Sequence, residues 1–104
     1  MRATKENILE YLHEIKSELY NDGITTVALF GSFARGEQTV YSDIDIAIKK
    51  ETAYLKKRTA YTYLEEIAKI KEMIQKKFHR NSDVFDLESS SPMIDSIKKE
   101  LLYV

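Results

Sequence analysis

Residues 31–48 read Gly31-Ser32-Phe33-Ala34-Arg35-Gly36-Glu37-Gln38-Thr39-Val40-Tyr41-Ser42-Asp43-Ile44-Asp45-Ile46-Ala47-Ile48. A glycine–serine turn opens the stretch, ten residues of connection follow, and two aspartates then alternate with isoleucines. A strand repeats every second residue, so Asp43 and Asp45 project from one face while Ile44, Ile46 and Ile48 take the other. Two carboxylates about 7 Å apart on one face repel each other unless a cation sits between them. An exposed strand with solvated acids is the plainer reading. Against it, the alternate positions are all isoleucine, so the opposite face must be packed. Hard oxygen ligands of this kind suit Mg²⁺, which keeps several waters and bridges carboxylate to phosphate. Gly31 allows close backbone approach. A short helix starting near Ser32 would turn free N–H groups toward a polyphosphate.

Working outward, Ile24 to Phe30 is β-branched and apolar, and reads as a buried strand delivering Gly31 at its carboxyl end. Before it, Thr4 can cap a first helix whose Ile8, Leu12, Ile15 and Leu19 recur at helical spacing, closed by Asn21-Asp22-Gly23. A brief helical segment from Ser32 to Arg35 is expected, ended by Gly36, with Glu37 to Ser42 a polar loop and Asp43 to Lys49 the second strand. Thr52 to about Phe78 reads as one long helix carrying Leu55, Ala60, Leu64, Ile67, Ile70, Ile74 and Phe78. Lys76 and Lys77 at its end complement the helix dipole. Tyr54, Tyr61 and Tyr63 are packing residues at this spacing, with one or two free to face a partner. Ser82 to Leu87 is the third strand. Ser89 to Ser91 before Pro92 mark the start of a final short helix with Met93, Ile94 and Ile97, and Leu101 to Val104 reads as an edge strand or a tail.

Composition bounds the function. At 104 residues, residues 1–104 are expected to form one domain. A net charge of −1 supplies no broad basic field, so direct nucleic-acid binding is not expected. Cysteine is absent, which excludes disulfides and thiolate metal sites. No apolar run reaches the ~18 residues of a membrane span and no signal peptide is evident, so a cytoplasmic location is expected. His13 and His79 lie in helical or turn contexts without a nucleophile motif, which leaves no Ser-His-Asp reading.

The pattern Gly31-Ser32, ten residues, Asp43-x-Asp45 resembles the nucleotidyltransferase superfamily that includes DNA polymerase beta. The fuller string G-S-F-A-R-G…S-D-I-D resembles its smallest members, the minimal nucleotidyltransferases. The resemblance covers most of the chain. It implies an α/β fold, a small mixed sheet with flanking helices. It also implies a third carboxylate from a neighbouring strand. Asp83 is the position of S-D-V-F-D-L that matches. Asp83 and Asp86 are three apart and face opposite ways in a regular strand, so only one can join Asp43 and Asp45. The resemblance implies two Mg²⁺ ions on Asp43, Asp45 and Asp83, with ATP as substrate. Ser32 is then a phosphate ligand, a helix cap, or both. Arg35 pairs with a phosphate or fixes the loop, and Ser42 orients the carboxylate or the loop. Such proteins resemble the antitoxin half of HEPN/MNT pairs. That implies transfer of AMP onto a tyrosine of a HEPN ribonuclease toxin; a homo-oligomer and a hetero-oligomer with the toxin both stay open. Neutralisation by binding alone, or transfer to a small molecule or nucleic acid, stand as alternatives.

Overall fold

The structure is a computed structural model that describes all 104 residues. In chain order the elements are α1 (Lys5–Asn21), β1 (Ile24–Phe30), α2 (Gly31–Arg35), β2 (Ile44–Lys50), α3 (Tyr54–Lys57), α4 (Ala60–Phe78), β3 (Ser82–Asp86), α5 (Ile94–Lys98) and β4 (Leu102–Tyr103). The strands form one mixed sheet in the order β3-β2-β1-β4. β1 is antiparallel to both β2 and β4, whereas β2 and β3 run parallel. The expected mixed sheet with flanking helices is what the chain forms.

Alternation along β1 and β2 sorts the core into two unequal halves. Val27, Leu29, Ile44, Ile46 and Ile48 face α1 and α4, where Ile8, Leu12, Leu19, Ile70 and Ile74 complete the larger core. Ala28, Phe30 and Ala47 face the other way, against Leu87 and against Ile94 and Ile97 of α5. Small residues on this second face let α5 lie close. Thr4 caps α1 as its position implies, its hydroxyl accepting from Asn7 N at 3.1 Å. No helix is long and apolar enough to cross a membrane.

Three expectations need correction. The long helix is two: α3 ends at Lys57, Arg58 is extended, and Thr59 caps a new helix by accepting from Thr62 N at 3.1 Å. The break turns Leu55 and Leu64 outward, 56% and 64% exposed, and buries Tyr54 to 1% instead. Tyr54 meets the Tyr63 ring edge-on at 5.3 Å, and Arg58, paired with Glu51 at 2.7 Å, covers its face. Second, β2 begins at Ile44, so Asp43 stands just ahead of the strand. Third, β3 ends at Asp86, although Leu87 N still donates to Ile48 O at 2.9 Å.

Candidate active site

The second face of the sheet carries the acids. β2 and β3 are parallel with Asp45 opposite Asp83, so the two side chains share a face. Ala47 and Phe85, the next pair on that face, lie in the core beneath α5. Asp43 precedes Asp45 by two residues and is exposed, as is Asp83. The register places Asp86 opposite Ile48, on the other face. There its carboxylate accepts from Lys50 Nζ and from Tyr63 Oη, each at 2.7 Å. Asp86 is thereby removed from the acid group.

Asp45 registers its neighbours. Partial burial, then the negative charges of Asp83 and Asp43, push its carboxyl up from 3.8 to about 6. No three carboxylate or imidazole groups stand close enough to enclose a metal ion by themselves. The donors are nonetheless all hard oxygen, and the charge crowded at Asp45 is what a divalent cation would relieve. The residues therefore fit Mg²⁺ as a partial set that substrate oxygens would complete.

Gly31 adjoins Asp45 at the end of β1. Its backbone has φ +78, and a Cβ there would run into the Asp45 carboxylate. Only glycine lets the β1–α2 turn come this near the acid. No side chain caps the first turn of α2, which leaves its leading N–H groups open to a ligand. Gly31, Ser32, Arg35 and Asp45 line a pocket of about 440 Å³. Its far wall was not legible beforehand: Met93, Ser96 and Ile97 of the α5 region, and Glu100. Nothing in that short segment distinguishes a pocket wall from an ordinary surface helix.

Arg35 donates to Glu100 at 2.6 Å and Glu37 at 3.2 Å. Of its two expected roles, the structure displays the salt bridge. Ser42 stays outside the pocket; its Oγ accepts from Thr39 N at 2.9 Å, which serves the loop.

The family model described as polymerase beta, nucleotidyltransferase matches residues 13–103. The chain belongs to this family. Among curated relatives, a candidate protein adenylyltransferase of Methanocaldococcus jannaschii is 36% identical, covering 97% of this chain and 98% of its own. Another from that organism is 44% identical over 71 residues, 65% of this nucleotidyltransferase and 83% of the relative. A solved candidate minimal nucleotidyltransferase superimposes with a TM-score of 0.73 at 23% identity, covering 96% of this chain and 95% of that one. A toxin–antitoxin structure with AMP-PNP gives 0.58 at 21% identity, over 97% of this chain and 72% of that one. At these identities the superpositions establish the shared fold alone.

Proposed function

We propose that this nucleotidyltransferase moves AMP from ATP onto a tyrosine hydroxyl of a separate protein, a HEPN-type toxin, and so acts as an antitoxin. The observation that carries the reading is the pairing of Asp45 with Asp83 across β2–β3, with Gly31 directly against Asp45. The relatives' description as protein adenylyltransferases supports a protein acceptor, and the toxin–antitoxin neighbours support the kind of partner.

Gly31 and Ser32 would receive the phosphates through backbone N–H groups and the Ser32 hydroxyl. Asp43, Asp45 and Asp83 would hold Mg²⁺, which when bound neutralises triphosphate charge and polarises the phosphate under attack. Arg35, now on Glu37 and Glu100, would have to exchange one of them to reach a phosphate. In the transfer, the tyrosine oxygen forms a bond to the α-phosphorus. The bond from that phosphorus to the bridging oxygen breaks, and pyrophosphate leaves. The phenolic proton passes to Asp83 or to solvent. Catalysis of this kind is mostly positioning and charge neutralisation.

The test is intact-mass spectrometry of a purified HEPN-type partner incubated with this chain, ATP and Mg²⁺. The partner should gain the mass of AMP or multiples of it, and Asp43→Ala or Asp45→Ala should abolish the gain while remaining folded. A partner that binds and loses toxicity at unchanged mass would establish neutralisation by occlusion instead.

A further inference from the structure

We propose that Arg80 is a positioning residue that clasps the Glu37–Ser42 loop to α2 and thereby sets where the Asp43 carboxylate stands. The inference rests on the reading of Asp43 as a site acid.

Arg80 follows His79, whose left-handed backbone (φ 56, ψ 39) ends α4 and turns the chain toward β3. From there its Nη1 donates to Ser42 O at 2.8 Å, with longer contacts of 3.4 Å to Thr39 O and Val40 O. The same guanidinium lies over the buried Phe33 ring of α2, 5.3 Å from its centre. One side chain thus joins the helix that carries Ser32 to the loop that ends at Asp43. The next residue adds a second hold: Asn81 O accepts from Ile44 N at 3.0 Å. Asp43 is therefore bracketed, its preceding carbonyl gripped by Arg80 and its following N–H by Asn81.

The loop is built to be held. Thr39 N donates to Ser42 Oγ at 2.9 Å, Tyr41 N to Thr39 Oγ1 at 3.2 Å, and Ser42 N to Thr39 O at 3.1 Å. These bonds leave the loop's carbonyls converging on one point. A guanidinium reaches all three through Nη1 and lies over an aromatic ring at once. A lysine ammonium can bond Ser42 O but offers no flat face to Phe33. Without the clasp, Asp43 hangs on a loop with Val40 and Tyr41 largely in solvent.

Backbone amide exchange and Mg²⁺ titration of Arg80→Ala and Arg80→Lys test this. In Arg80→Ala, the amides of Thr39, Tyr41, Ser42 and Ile44 should exchange about tenfold faster or more, while core amides of α1 and α4 exchange as in the wild type. Arg80→Lys should fall between. The Mg²⁺ giving half-maximal AMP transfer should rise about tenfold in Arg80→Ala, with saturating Mg²⁺ recovering most of the rate. Loop amides that exchange at wild-type rates overturn the proposal. So does acceleration throughout α1 and α4, since that makes Arg80 a general stabiliser. If the wild-type chain transfers no AMP, the reading of the site falls, and the exchange measurement still decides the clasp.

Discussion

Gly31 and Gly36 both have positive φ, yet they differ in what a side chain would meet: Asp45 at the first, open space at the second. Gly36→Ala should cost about 1 kcal/mol, the backbone strain alone. Gly31→Ala should cost about 1–3 kcal/mol and displace Asp45 as well, so it should also weaken nucleotide binding. Urea midpoints and an ATP titration of the two variants would separate strain from clash. Asp86 offers a pH test. Burial alone would raise its carboxyl, but hydrogen bonds from Lys50, the Glu88 N–H and Tyr63 hold it below the usual 3.8. The folded protein therefore binds that proton less tightly than the unfolded chain. The stability it contributes is fully present above the unfolded value and is lost as pH falls through the folded one. Asp86→Asn should lower the denaturation midpoint at about pH 7, and its gap to the wild type should shrink as pH falls below the unfolded value of 3.8 and through the lower folded one. A gap that stays constant across that fall in pH would show that packing, not charge, holds Asp86.

The α3–α4 break is the element that sequence periodicity concealed. Leu55 and Leu64 suggested a continuous stripe, and that stripe hid the helix start at Thr59. The structure shows Tyr54 buried and edge-on to Tyr63 at 5.3 Å, the two residues lying on either side of the extended Arg58. Thr59→Ala should cost about 1 kcal/mol through loss of the cap. Leu55→Lys and Leu64→Lys should change stability by less than about 0.5 kcal/mol, because neither side chain is buried. Thermal melts of the three variants check both statements, and a severe loss on Leu64→Lys would restore the single-stripe reading. The remaining elements were legible because caps, glycines and apolar runs agreed with one another. Thr4, the Ile24–Phe30 run and Gly36 each mark a boundary the structure keeps.

Across the whole molecule, the sheet is thickly covered on one face by α1 and α4 and thinly on the other by α5. The pocket opens on the thin face. Asp43, Asp45 and the glycine–serine turn could be read from the chain because they fall within one short stretch, and Asp83 was reached through the family resemblance. Its far wall at Met93–Glu100 and the Arg80 clasp could not, since both arise from residues brought together only by the fold. The parallel pairing of β2 with β3 carries a kinetic consequence. Antiparallel β1 and β2 pair across the short α2 segment, whereas the connection that brings Asp83 opposite Asp45 contains both α3 and α4. Contacts so far apart in sequence carry a larger loop-closure cost and form slowly. After dilution from denaturant, helical circular dichroism should recover first, and the capacity to bind Mg-ATP should return only with the slowest phase. For an interval during each refolding event, the chain should possess most of its helices and none of its affinity for nucleotide.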